Sequence, residues 1–208
     1  KSADKPAAFL FLIQDVIPRK DLTIVFVATK HHAEFLHQLL QEISIESSVI
    51  YGAMDQETRT MSLEKFKRQK VKILIVTDVA ARGIDIPLLN NVVNYSFPCA
   101  PKLFVHRVGR AARQGRSGVA FNLVDPEELP YMVDLHLFLG RKPQNIFKPD
   151  DGSTQKEDES EVQDAKGFDL KEMSPDMVFY GGVPQAVLDV ENEFCRQLYT
   201  RSGGALGA

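Results

Sequence analysis

Five short runs of branched apolar residues recur along the chain, four of them followed by a stretch with helical spacing, and this alternation leaves few folds open. The runs are LTIVFVA (22–28), SVIY (48–51), VKILIVT (71–77), NVVNYSF (91–97) and GVAFNLV (118–124). A strand with one face in water alternates apolar and polar residues. LTIVFVA and VKILIVT do not, so they read as strands buried on both faces. Burial on both faces calls for helices above and below. The expected fold is therefore α/β, a parallel sheet with right-handed crossovers and helices on both faces.

The helical stretches fit between the runs. In KHHAEFLHQLLQEI (30–43), Phe35, Leu36, Leu39, Leu40 and Ile43 share one face. Asp55 is placed to cap a helix over QETRTMSLEKFK (56–67). Another helix starts near Lys102, and a closing one in PEELPYMVDLHLFLG ends near Gly140. The leading KPAAFLFLIQDVIP reads as an amphipathic helix stopped by Pro18.

With 208 residues, 44% of them hydrophobic, the chain is long enough for one good-sized domain and an appendage. The body spans 1–147. Residues 148–182, with KPDDGSTQKEDESEVQDAKG at their start, read as an acidic, disordered linker. Residues 183–208 read as a helix over 183–199, with Pro184 near its start, and a frayed tail. Charge divides along the same line. Residues 1–149 hold 20 Lys+Arg against 15 Asp+Glu, and residues 150–208 hold 5 against 13. A mildly basic body suits a partner that is a polyanion. The apolar runs are far too short to cross a bilayer, so no membrane partner is expected. The first residue is Lys1, not Met, and the sequence reads as a piece of something longer. Cys99 and Cys195 lack a CxxC context and read as free thiols of a reducing compartment. His31, His32 and His37 lack the i, i+4 spacing of a zinc pair, so no metal site is expected.

In open parallel sheets ligands gather at the carboxyl ends of strands. The odd polar segments of this chain all follow strands. Thr29, after the first, reads as a helix cap in a position friendly to anions. YGAMDQETR (51–59) offers Gly52 for close backbone approach and Arg59 for an anion, or simply a helix cap and a surface arginine. In TDVAARGIDIP (77–87), Thr77 has a hydroxyl for a phosphate, Gly83 permits close approach and Asp85 can accept from ribose hydroxyls. A plain connecting loop is the alternative. VHRVGRAARQGRSG (105–118) holds Arg107, Arg110, Arg113 and Arg116 three apart with no carboxylate among them. On a helix, the first three would line one side. That row is either a solvated basic face or one that meets phosphates or another domain's carboxylates.

These segments, in this order and spacing, resemble the second RecA-like domain of DEAD-box RNA helicases over about residues 8–147. VFVAT resembles motif IV, YGAMDQETR the glycine-containing motif with its Gln-x-x-Arg, TDVAARGIDIP motif V and HRVGRAAR motif VI. HRVGRAARQGRSG together with LHLFLGR (135–141) resembles the nucleolar branch that serves large ribosomal subunit assembly. The family usually has glycine where Ala112 stands, and histidine where Tyr51 stands.

The resemblance implies a role for each matching residue. Arg110 and Arg113 would be arginine fingers on the γ-phosphate of ATP. His106 and Arg107 would make interdomain contacts, and Gly83 and Asp85 would meet the ribose. Thr29, Gly52, Arg59 and Thr77 would contact the sugar–phosphate backbone of RNA without reading bases. No phosphate-binding loop or Asp-Glu-Ala-Asp is present. The cradle for ATP and Mg2+ is expected on an N-terminal RecA-like domain, and this chain alone is expected to hydrolyse no ATP. Pre-ribosomal assembly factors are implied partners, and the nucleus and nucleolus the implied location. The rival reading is a non-catalytic scaffold of helicase fold that binds RNA or assembly factors.

Overall fold

The computed structural model describes residues 2–86, 88–111, 118–145 and 179–201. Within them the apolar runs form β1 (Thr23–Val27), β2 (Ser47–Ile50), β3 (Ile73–Thr77), β4 (Asn91–Asn94) and β5 (Val119–Asn122). They pair in the order β2-β3-β1-β4-β5, every pair parallel. The centre of the sheet is where the sequence is apolar without a break: every residue of β1 and β3 is buried. Edge strand β5 is only half-buried.

Side chains of the strands alternate between two cores, as the pleat requires. Val25, Val27, Ile75 and Val93 point to one face, with Phe9, Leu10, Leu36, Leu39 and Leu40. Ile24, Phe26, Leu74, Val76 and Val92 point to the other, with Phe66, Ala80 and Ala81. The first layer is built by α1 (Lys5–Phe11) and α2 (Lys30–Glu42), the second by α3 (Gln56–Lys67) and the one-turn α4 (Asp78–Ala81). The crossover from β4 to β5 runs through α5 (Pro101–Val108), and α6 (Leu129–Leu139) follows β5.

The ends of the helices follow local chemistry. Asp55 Oδ1 accepts from Thr58 N at 2.8 Å and caps α3. That bond also holds the Asp55 carboxyl below its ordinary pKa. The leading helix winds into a π turn over Leu12–Val16, closed by Ile17 N donating to Leu12 O at 2.9 Å. Ile17 is then extended (φ −87°, ψ 122°), as a residue before proline must be. Gly140 ends α6 in the left-handed region at φ +64°, and a Cβ there would meet nothing within 4 Å. The cost of a side chain at this position is therefore one of backbone conformation alone. Gly140→Ala is expected to lower stability by about 1 kcal/mol, read from the urea midpoint at unchanged m-value.

One feature was not foreseen. Two-residue strands β6 (Gln144–Asn145) and β7 (Phe179–Tyr180) pair in parallel, Gln144 with Phe179 and Asn145 with Tyr180. The expected linker lies mostly outside the described residues. Helix α7 (Gln185–Arg201) then packs on α1 and α2. Its Phe194 and Cys195 rest against the first core, and Asn192 Nδ2 donates to Asp4 Oδ1 at 3.0 Å. Burial pushes the Cys195 thiol up to about 11. Among the described residues no helix is long and apolar enough to cross a membrane.

Candidate nucleotide and nucleic-acid interface

Because the strands are parallel and in register, everything that follows a strand emerges at one edge. Val27 pairs with Thr77, Phe26 with Asn94 and Ile50 with Val76. Thr29, Gly52, Thr77 and the turn after β4 therefore share the carboxyl edge of the sheet. Thr29 Oγ1 accepts from His32 N at 3.2 Å and caps α2, which leaves its hydroxyl proton to donate outward from an exposed residue. Gly52 is exposed, and a Cβ there would come no nearer than 3.7 Å to Val79 Cγ1. Among the described residues nothing demands glycine at that point. The neighbouring Tyr51 hydroxyl donates to Glu34 Oε1 at 2.7 Å, and this bond raises its pKa.

The segment after β3 begins as a helix rather than a bare loop. Thr77 is only 8% exposed and its hydroxyl does not cap α4. The turn is steadied from α3: Arg59 Nη2 donates to Ala80 O at 2.8 Å. Gly83 follows at φ +72° with open space around it, so its glycine serves the left-handed turn and not a tight fit. Beyond it the Asp85 side chain is 94% exposed, 3.3 Å from Lys67 Nζ, its carboxylate facing solvent where it can accept from a ligand.

The arginine segment departs from expectation. Arg107 and Arg110 do not share one helix, because α5 ends at Val108. Arg110 N turns back to Arg107 O at 3.2 Å, and Ala111 leaves the helix to bridge Leu89. Gly109 marks the exit, since a Cβ there would sit 2.9 Å from Val105 O. Arg113 and Ala112 lie outside the described residues.

The two described arginines have different fates. Arg107 is 3% exposed, and the carboxylate opposite it belongs to this same chain. Its Nε and Nη2 donate to Asp78 Oδ1 and Oδ2 at 2.8 and 2.7 Å, a bidentate pair. Its Nη1 donates to Asn94 Oδ1 at 2.8 Å and Ser96 O at 2.7 Å. The guanidinium also lies 5.0 Å over the Phe26 ring. Arg110 is half-exposed, and its Nη1 donates to Ile84 O at 3.2 Å. A guanidinium carries five N–H donors, of which that bond takes one. His106 is exposed beside them. The resemblance implies interdomain contacts for both His106 and Arg107. The geometry separates the two: His106 faces outward and Arg107 is turned into the lobe.

Asp78, Asn94 and Ser96 were not singled out from sequence. A signal for Asp78 was there: four arginines with no local acid need a carboxylate from elsewhere, and Asp78 directly follows a fully buried strand. Among the described residues no group of three or more His, Cys, Asp or Glu is placed to hold a metal ion. A surface hollow of about 590 Å³ along the outer side of α3, lined in part by Met61, Glu64 and Arg68, contains none of the candidate residues.

An edge with arginines, an open aspartate and a glycine turn, set on a five-stranded parallel sheet, defines a RecA-like helicase lobe. Residues 5–115 match the helicase conserved C-terminal domain, and the chain belongs to that family. Its relatives place it in the DEAD-box group. It is 49% identical over 202 residues to the ATP-dependent RNA helicase DDX54 of Mus musculus, covering 97% of this chain and 21% of that protein. It is 47% identical over 201 residues to the DEAD-box ATP-dependent RNA helicase 29 of Oryza sativa subsp. indica, covering 95% and 23%. The chain thus spans about a fifth of the length of these relatives. Among solved structures it resembles the E. coli DEAD-box protein SrmB bound to regulator of ribonuclease activity A. The TM-score is 0.62 at 32% identity, over 66% of this chain and 80% of that one. It also resembles S. cerevisiae Dbp5 bound to RNA and ADP BeF3, with a TM-score of 0.60 at 25% identity, over 95% of this chain and 42% of that one.

Proposed function

We propose that this chain is the second lobe of an ATP-dependent RNA helicase and that its carboxyl edge faces both nucleotide and RNA. The observation that carries the reading is the placement of Arg110 beside the Gly83–Asp85 turn, joined through the Ile84 carbonyl. A cation for phosphate and an exposed acceptor for ribose hydroxyls then stand on adjoining turns. ATP and Mg2+, held chiefly by a first lobe, supply the phosphoryl group and its counter-charge.

The residues of this chain divide the work. Arg110, with Arg113, neutralises charge developing on the γ-phosphate as the lobes close, and Asp85 orients the ribose. His106 meets the first lobe, and Arg107 serves that contact by holding the turn that presents it. Thr29, Gly52, Arg59 and Thr77 bear on the RNA backbone, so binding carries no base preference and weakens with salt. Closure bends the RNA, a short duplex parts, and loss of phosphate reopens the cleft.

The names of the relatives support ATP-dependent action on RNA, and the neighbour solved with RNA supports an RNA-facing edge. Work in large ribosomal subunit assembly in the nucleolus rests on the resemblance of HRVGRAARQGRSG and LHLFLGR. The neighbour solved with a protein partner supports a protein as a further ligand, and the choice of assembly factors rests on the same sequence resemblance.

Phosphate release separates the enzyme from the scaffold reading. This chain alone is expected to release no phosphate from ATP, with or without RNA, while the two-lobe protein does so under RNA stimulation. Turnover by the isolated lobe overturns the division of labour. A two-lobe protein that binds RNA without turnover supports the scaffold.

A further inference from the structure

The peptide group joining Ser96 to Phe97 is gripped at both ends by opposite charges. Its carbonyl oxygen, on Ser96, accepts from Arg107 Nη1 at 2.7 Å. Its N–H, on Phe97, donates to Glu128 Oε1 at 3.0 Å. A peptide unit is rigid and planar, so fixing the N–H fixes the direction of the C=O. An anion on the N–H also polarises the carbonyl and strengthens it as an acceptor for a cation. Glu128 is itself secured. Its Oε2 accepts from Asp125 N at 3.0 Å and pairs with Lys5 Nζ at 2.6 Å, and Lys5 reaches Asp125 Oδ2 at 3.0 Å. The Lys5 and Glu128 side chains are 12% and 20% exposed, so water screens the pair only in part. The same turn reaches toward Thr29, because Ser96 Oγ accepts from Ala28 N at 3.1 Å.

We infer that Glu128, held by Lys5, is a positioning residue for the arginine turn: through the Phe97–Ser96 peptide it sets the acceptor on which Arg107 ends, and with it the presentation of His106 and Arg110. Neither Glu128 nor Lys5 touches nucleotide or RNA in the proposed reading, and the kinetic part of the inference rests on that reading. The route runs from the first turn of α1, across the start of α6, to the last turn of α5.

The test uses two readouts. In this chain, the Arg107 Nε–H resonance reports the Asp78 clasp directly. Glu128→Ala is expected to shift it and to speed its solvent exchange about tenfold, the loss of one charge-assisted bond. Glu128→Gln, whose amide oxygen still accepts from Phe97 N, recovers part of that change. In the two-lobe protein Glu128→Ala lowers kcat about fivefold, within the same loss, at an RNA KM unchanged from wild type. Should Glu128→Ala fail to fold, Lys5→Gln moves the resonance in the same direction by less. An unmoved Arg107 signal in folded Glu128→Ala, or Glu128→Gln no better than alanine, overturns the inference. The resonance measurement stands even if Arg110→Ala proves to leave ATPase intact, an outcome that would count against the functional reading alone.

Discussion

Asp78→Ala is expected to destabilise the chain by about 3 kcal/mol, the low end of what breaking a buried ion pair costs. Arg107 is 3% exposed and remains charged when its partner is removed, since guanidinium does not deprotonate in proteins. The loss is thus not that of two hydrogen bonds but of the only carboxylate paired with a buried cation among the described residues. Two things moderate it. The Asp78 side chain is 25% exposed, so water can enter from that side. Asn94 Oδ1, Ser96 O and the Phe26 ring stay in contact with the guanidinium. A loss of that size lowers Tm by roughly 6–12 °C in a chain of this length. Arg107→Met on the Asp78→Ala background should regain most of it, because a buried pair replaced by apolar atoms is nearly neutral. Urea unfolding of the single and double variants checks both statements. A single variant within 0.5 kcal/mol of wild type, or a double variant no better than the single, contradicts them.

The second large effect concerns rate and not stability. In the two-lobe protein Arg110→Ala is expected to lower RNA-stimulated ATPase about 10³-fold, the lower range for an arginine finger. Arg110 is half-exposed and its one described bond is to a backbone carbonyl, so its removal leaves no buried charge behind. The fold should be indifferent to the change, with Tm within 1–2 °C of wild type, the span of a ~0.5 kcal/mol surface change. Arg110→Lys should recover little, since an ammonium cannot span two phosphate oxygens as a planar fork does. RNA affinity without nucleotide should be unchanged, because the RNA contacts are assigned to other residues. Arg113→Ala added to Arg110→Ala should lower the rate further. A double variant with wild-type turnover would leave these arginines as a basic face and favour the scaffold reading.

The contrast between the two arginines shows what could be read from sequence and what could not. Unbroken apolar runs identified β1 and β3 as buried on both faces because burial leaves a local mark on every residue of a strand. Asp55 and Gly140 announced helix ends for the same reason: a cap acts within three residues. The clasp on Arg107 joins residues 29 apart, and the Lys5–Glu128 pair residues 123 apart. Spacing along the chain does not pair the members of such contacts, although arginines without a local acid did call for a distant carboxylate. Regular three-residue spacing suggested a row of arginines on one helix, yet Gly109 ends α5 between Arg107 and Arg110 and sends them to different partners. That glycine, just past the last apolar turn, was a stop signal that could have been weighed. The π turn over Leu12–Val16 had no such signal, since FLFLI is apolar at every position. The motifs drew attention to one edge of the sheet, the one at the carboxyl ends of the strands. They did not distinguish the arginine that holds the lobe together from the one turned outward.

The account stands on Arg110 meeting a terminal phosphate across a closed cleft. The most direct measurement is a structure of the two-lobe protein closed on RNA with ADP BeF3, the pair of ligands seen in the Dbp5 neighbour. Arg110 donating to the fluoride group at hydrogen-bond distance, with Asp85 at the ribose and Arg107 still on Asp78, is the expected arrangement. Arg110 directed into solvent in that closed state would contradict it.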